Sequence, residues 1–260
     1  MKVGLTFVSP MNFLRQRFLF SAAALSPMVL LTLRKFPRDR NTLSKLLVFS
    51  LINVLSFPPT LLGLVNEESG IASVLAYTYP LFVFGLAIPF LKERVSSCRV
   101  LGVMTGFVGV VILSFEALGS FMLGAIGMLI LGSFLWAAAN VYYKKYLSQT
   151  DPLTANFLSL LVGAILLSVF GAITGDYPFP INVTYIVMIL YASVVTLSVA
   201  ETIWFGLLRS EDATVLAGSS FLVPLAALFF GWKLLAEGIN VESVLGSALV
   251  LVGVYLVNVK

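Results

Sequence analysis

Nine apolar stretches fill this 260-residue chain, at residues 12–33, 45–65, 70–91, 98–115, 119–143, 153–174, 184–208, 212–235 and 241–259. A helix needs roughly 20 apolar residues to cross about 30 Å of hydrocarbon, so each stretch predicts one transmembrane helix. The breaks between them are short and polar, among them Arg34 to Arg40, Lys92 to Arg94, Lys144 to Pro152 and Arg209 to Asp212. They leave no room for soluble domains, and the expected fold is an all-α membrane protein, a polytopic helical bundle. Only 11% of residues are charged, against about 25% in a typical soluble domain, and no soluble fold would hide this much apolar surface.

One pattern occurs twice. Pro80, Glu93, Gly102 and Gly109 recur 144 residues later as Pro224, Glu237, Gly246 and Gly253. Near the N-terminus the offset is 142, which sets Lys2 on Lys144, Pro10 on Pro152 and Met1 on Tyr143. Nothing in the first half then corresponds to the helix at 119–142. The pattern predicts two five-helix repeats, residues 1–117 and 118–260, with the first helix of the first repeat missing and nine helices present; a plain nine-helix chain is the alternative. Five helices per repeat turn the second copy over in the membrane, so the repeats are expected to be inverted.

The basic residues test that topology. Segments assigned to the cytoplasm hold Arg34, Lys35, Arg38, Arg40, Lys45, Lys92, Arg94, Arg99, Lys144, Lys145, Arg209 and Lys260, while Lys2, Arg15, Arg17 and Lys233 fall on the other side. A split of 12 to 4 places the C-terminus in the cytoplasm. The net charge of +4 is scattered between apolar runs instead of forming a basic face, which argues against a nucleic-acid partner. The chain has no His, and Cys98 is its only Cys, which excludes Cys/His metal sites, internal disulfides and His-based catalysis. No cofactor is implied. An intramembrane enzyme would need a nucleophile with a base, or paired buried carboxylates, and only one acid lies deep in an apolar run; the chain is not expected to be an enzyme.

That acid is Glu201. It lies eight residues from Arg209, roughly 12 Å at 1.5 Å per residue, inside the hydrocarbon slab. An ionised carboxylate there costs several kcal/mol unless paired or hydrated. Either Glu201 binds a cationic or amine group of a substrate, or carries the proton exchanged for it, or it is a neutral acid bonded to another helix. Pro80 and Pro224 sit mid-run, where proline removes a backbone donor and displaces the carbonyl four residues back, here Ala76 and Ser220. Interrupted helices at matching positions of two halves point to a transporter's substrate site, so both prolines are candidate hinges; packing bends are the alternative.

Tyr77 and Tyr79 precede Pro80, and Ser219 and Ser220 precede Pro224; all four can bond a solute without burying a charge, or can link helices. Asn53, followed by Pro58 and Pro59, marks an irregular helix that is the repeat counterpart of the one holding Glu201. Trp136 and Asn140 project from the cytoplasmic half of the helix that opens the second repeat. Arg15 and Arg17 lie near a membrane boundary and are expected to snorkel to the headgroups, Arg15 remaining a minor candidate for a substrate carboxylate. Gly102, Gly106, Gly109, Gly246 and Gly253 are spaced for close helix approach, either sealing the repeats or forming a homodimer face.

The residues resemble the drug/metabolite transporter superfamily, in particular its EamA-type members. The resemblance is carried by Phe13 to Phe20, Ile71 to Pro80, Phe90 to Glu93 and Leu101 to Leu113, then by Phe134 to Lys145, Trp204 to Leu208, Ala213 to Pro224 and Glu237 to Val257. It implies ten helices in two inverted repeats, alternating access in the cell membrane, and export of small metabolites such as amino acids, or of amphipathic and cationic compounds. It adds Trp204 to the candidate substrate-binding residues. The implied partners are a small-molecule substrate and the lipid bilayer. A non-transporting structural or lipid-handling membrane protein is the alternative.

Overall fold

The computed structural model describes residues 4–32, 36–66, 75–113, 123–176, 178–235 and 241–259. After a single turn at Gly4–Thr6, the helices are α1 (Pro10–Leu31), α2 (Arg40–Asn66), α3 (Tyr79–Leu91), α4 (Ser97–Leu113), α5 (Leu123–Tyr146), α6 (Pro152–Thr174), α7 (Val183–Ser210), α8 (Ala213–Ser219), α9 (Leu222–Leu235) and α10 (Val241–Asn258). With α8 and α9 counted as one interrupted span, the described residues hold nine helical spans and no strand. Among them α2, α5, α6, α7 and α10 are long and apolar enough to cross a membrane. Large apolar side chains such as Ile165, Val187, Ile203 and Leu251 are exposed, more than a water-soluble surface tolerates and what lipid requires. Glu237, with Lys2, Arg34, Lys35 and Lys260 of the charge partition, lies outside the described residues.

The chain forms two compact units, each drawing on both halves of the sequence. The first combines Met1–Leu61 with Tyr142–Ser210, and the second combines Leu62–Val141 with Glu211–Lys260.

In the first unit α1 and α6 begin alike. Ser9 and Asp151 each accept a hydrogen bond from the backbone N–H three residues on, and Pro10 and Pro152 follow at the first helical position. The two helices pack antiparallel, because Arg15 and Phe18 climb α1 against Gly171 and Gly163 falling along α6. A Cβ at Gly163 would stand 2.3 Å from the Phe18 ring, so the fully buried Phe18 depends on that glycine. The core continues through Phe13, Val54, Leu160, Tyr185 and Ile189.

In the second unit α4 and α10 are repeat counterparts, and they meet through exchanged glycines. A Cβ on Gly102 would fall 2.7 Å from the Gly253 carbonyl oxygen, and one on Gly109 would fall 2.8 Å from that of Gly246. Equivalent positions are 102 with 246 and 109 with 253, so each glycine faces its partner's opposite number and the helices run antiparallel. Phe221 fills the space over Gly106, and Val103, Val110, Val250 and Val257 complete the core. The glycines thus seal α4 against α10 within one chain.

The turn after α3 is held by charge. Lys92 adopts a left-handed conformation with φ 57°, a strain of about 1–2 kcal/mol for a residue with a side chain. It delivers Glu93 to the start of α8, where Oε1 accepts the Ala213 N–H (2.8 Å) and Oε2 accepts the Thr214 N–H (3.2 Å) and hydroxyl (2.7 Å). Arg99 adds an ion pair of 2.8 Å to Asp212 beside it. Glu93 therefore acts as a cap supplied to α8 from another loop. Glu93→Ala should cost about 1–2 kcal/mol, seen as a lower melting temperature and faster amide exchange at Ala213 and Thr214.

Candidate functional site

Glu201 sits where α7 changes its winding. From Tyr191 to Ala200 the helix is π-wound, and the Glu201 N–H bonds the Thr196 carbonyl five residues back. No Gly or Pro interrupts this segment, which instead carries Ser and Thr hydroxyls turned onto the backbone. Ser193 donates to the Ile189 carbonyl (2.6 Å), Thr196 to Ala192 (2.5 Å) and Thr202 to Ser198 (2.6 Å), a competition with main-chain bonding that distorts helices.

Side chains of neighbouring helices take up the carbonyls of this wide segment. From α1, Arg17 donates to the Ala192 carbonyl (3.3 Å) and the Thr196 hydroxyl (3.2 Å), and Ser21 to the Ser193 carbonyl (2.9 Å). From α6, Asn156 donates to the carbonyls of Leu197 (2.8 Å) and Ser198 (3.3 Å) and to the Thr202 hydroxyl (2.9 Å). Asn156 therefore grips α7 on both sides of Glu201.

Around that grip lie acceptors left over. Glu201 is 8% exposed, and its Oε2 has no hydrogen-bond partner among the described residues; the same holds for Asn53 Oδ1, Asn156 Oδ1 and Ser50 Oγ. An unsatisfied buried acceptor costs about 1–3 kcal/mol, more if charged. Four in the first unit therefore mark a functional site more readily than a packing accident. They are linked: Asn53 donates to Ser159 (2.9 Å), one turn along α6 from Asn156, and Ser50 is one turn along α2 from Asn53. Arg17 is the charged neighbour of Glu201.

This corrects the expectation for Arg17. It is 3% exposed and anchored on α7, not extended toward headgroups; the carbonyls of the π segment and Glu201 supply inside the protein what snorkelling would have sought outside. Arg15 instead bonds Asn12 Oδ1 (2.7 Å). α2 remains helical through Pro58 and Pro59, with Ser56 and Thr60 hydroxyls bonded back to Asn53 and Ser56. The irregular winding falls on its counterpart α7.

The remaining sequence candidates divide between the units. Trp204, half-buried and one turn past Glu201, shares the first unit with Glu201 and Asn53. Tyr77, Tyr79, Ser219, Ser220, Trp136 and Asn140 belong to the second. There the chain turns tightly at Tyr77 and Thr78 before α3 restarts at Tyr79, and again at Ser220 and Phe221 before α9 restarts at Leu222. Pro80 and Pro224 lie in the first turns of the restarted helices, where a missing N–H is harmless. The interruptions precede the prolines instead of centring on them.

The Ala76 carbonyl receives the Ser133 hydroxyl at 3.4 Å, and the Ser220 carbonyl receives the Val223 N–H at 2.9 Å. Buried Tyr79 bonds Ser220, joining the two interruptions. Tyr77 and its repeat counterpart Phe221 pack as a tilted pair with ring centres 6.5 Å apart. Ser219 donates to Val215 (2.9 Å), and Asn140 turns back onto the Trp136 carbonyl (2.7 Å). A cavity of about 250 Å³ beside the π segment is lined by Phe13, Val187, Met188, Tyr191, Ala192 and Thr196, and none of the sequence-predicted site residues reaches it.

Sequence reasoning missed Asn156 and dismissed Arg17. The signal for Asn156 was present, since it is the only amide in the apolar run 153–174, and a polar side chain inside the membrane is a functional candidate by default.

Known proteins resemble the whole chain. The model of the EamA-like transporter family matches residues 1–115 and again 123–259. The uncharacterized transporter YoaV of Bacillus subtilis is 28% identical over 263 residues, covering 98% of this chain and 89% of its own length. An uncharacterized transporter of Archaeoglobus fulgidus is 28% identical, covering 98% and 91%, and one of Acidianus ambivalens is 27% identical, covering 95% and 92%. A solved crystal structure superposes with a TM-score of 0.82 at 15% identity, over 97% of this chain and 90% of its own, a likeness of fold alone. With apolar spans, two family matches and transporter relatives end to end, the chain belongs to the EamA-like transporter family and is a multi-pass membrane transporter.

Proposed function

We propose that the protein is a secondary transporter that exports small metabolites, amino acids or amphipathic and cationic compounds, across the cytoplasmic membrane by alternating access. Glu201 binds the cationic group of the substrate in exchange for a proton. The observation that carries this reading is the Glu201 carboxylate, inside a membrane-spanning helix with one oxygen unpartnered among the described residues. A carboxylate kept for structure would have that oxygen bonded; one kept for exchange must leave a place for what it releases and takes up.

The two halves, residues 1–117 and 118–260, are inverted copies, and the C-terminus is cytoplasmic. Supporting inversion, two pairs of counterpart helices, α1 with α6 and α4 with α10, pack antiparallel. The matched interruptions before Pro80 and Pro224 serve as hinges, a short turn being where backbone angles can change at little cost.

The test is flux in proteoliposomes. Radiolabelled amino acids and cationic dyes should move saturably and faster under a pH gradient. Lipid scrambling without solute flux would instead support a lipid-handling protein. Pro224→Ala, which restores a backbone donor and favours continuous helix across Ser220, should slow turnover more than it lowers the yield of folded protein. A loss of yield alone would return the interruption to packing.

A further inference from the structure

The unpartnered oxygens of the first unit have a composition that selects a ligand. Ser50 Oγ, Asn53 Oδ1, Asn156 Oδ1 and Glu201 Oε2, without a partner among the described residues, can all accept, Ser50 Oγ carrying a donor hydrogen as well; each is on a residue more than nine-tenths buried, and they come from three helices, α2, α6 and α7. Asn156 donates to the carbonyls of Leu197 and Ser198, which can only accept, so its amide oxygen is fixed in direction, and Asn53 donates to the Ser159 hydroxyl. One carboxylate with three neutral oxygens suits a hard monovalent cation. A divalent cation takes more carboxylates, and the described residues hold no cluster of three or more His, Cys, Asp or Glu.

Arg17, from α1, is the charged group whose field reaches Glu201, and its positive charge opposes any added cation, a divalent one twice as strongly as a monovalent one. The π winding that precedes Glu201 is of the kind that recurs at functional sites.

We infer that Ser50, Asn53, Asn156 and Glu201 form a sodium site within the first unit. Sodium and the proton compete for the one carboxylate, so the coupling ion is set by which of them Glu201 holds when the substrate leaves. This rests on the reading of Glu201 as the coupling residue.

Purified full-length protein in detergent should bind radiolabelled sodium saturably, one ion per chain, with excess unlabelled sodium displacing it and choline not. Acidification should displace it as well. Asn53→Ala and Ser50→Ala should each weaken binding about tenfold or more, with an unchanged size-exclusion profile showing that the fold survives. Asn156→Asp, which keeps an oxygen but loses the donated bonds, separates ligation from grip: it should retain sodium binding better than Asn156→Ala.

No saturable sodium binding, or binding indifferent to Asn53→Ala and Ser50→Ala in folded protein, overturns the site. Saturable binding of a radiolabelled primary amine that excess sodium does not compete for also overturns it, and makes the oxygens a substrate amine site. Proteoliposomes keep the two readings apart. Full pH-driven export in sodium-free medium, with no sodium bound, ends the sodium site and leaves the transporter standing; sodium bound without any solute flux does the reverse.

Discussion

Replacing Glu201 with glutamine is expected to abolish pH-driven export while leaving a folded, monodisperse protein. Glutamine keeps the shape of the side chain and one accepting oxygen, but it can neither release nor take up a proton and offers no charge to a cation. A hydrogen bond to a charged group is worth about 1.5–3 kcal/mol, and each 1.4 kcal/mol is tenfold in affinity. Affinity for a cationic substrate should therefore fall about ten- to a hundredfold, and the dependence of flux on a pH gradient should vanish. The measurement is initial export rate across a series of imposed gradients, with substrate affinity from competition. Unchanged affinity and an unchanged response to the gradient would reduce Glu201 to a structural acid held between helices.

The largest effect on stability is expected at Gly253. A Cβ there would stand 2.5 Å from the Gly106 nitrogen and 2.6 Å from both the Gly102 oxygen and the Gly106 Cα. All three are backbone atoms of α4, so no side-chain rotation relieves the clash and the two helices must part. Parting them strips the packing of Val103, Val110, Val250 and Val257, and close packing is what holds membrane helices together once lipid removes the hydrophobic drive between them. Gly253→Val should cost more than about 3 kcal/mol, the upper end of ordinary overpacking. It should appear as loss of monodisperse protein or a large drop in melting temperature in detergent. Gly127→Ala supplies the contrast: nothing lies within 4 Å of its added Cβ on α5, so it should be neutral or slightly stabilising through helix propensity. Equal damage from both would show that the α4 to α10 contact is not the weak point.

How far the site was legible depends on the kind of signal each residue left. Glu201 stood out because a carboxylate amid apolar residues is costly wherever the helix packs. Asn53 and the matched positions of Pro80 and Pro224 could be found from isolation and repetition. Arg17 was misjudged because its distance from a boundary says nothing of what an adjacent helix offers it; only the carbonyls of Ala192 and the hydroxyl of Thr196 explain its burial. The π winding of α7 left no trace, since Ser, Thr and Val are as common in regular membrane helices, and the distortion arises from hydroxyls and from Arg17 and Asn156 acting together. The capping role of Glu93 was not legible either, because its targets, the Ala213 and Thr214 amides, lie 120 and 121 residues away.

The sequence by itself determined that this chain is a membrane helical bundle with an internal duplication. Apolar length dictates spans, and lipid permits almost nothing but helices across it. Which helices meet was decided only by the tertiary structure. Exchanged glycines press α4 onto α10, Gly163 admits Phe18 between α1 and α6, and Asn53, Asn156, Arg17 and Glu201 gather from four helices. Hydrophobicity is indifferent to partner, since every apolar face of these helices is equally content in lipid. The choice rests instead on close backbone approach and on buried polar groups finding one another, and both are properties of pairs that no single stretch of sequence contains.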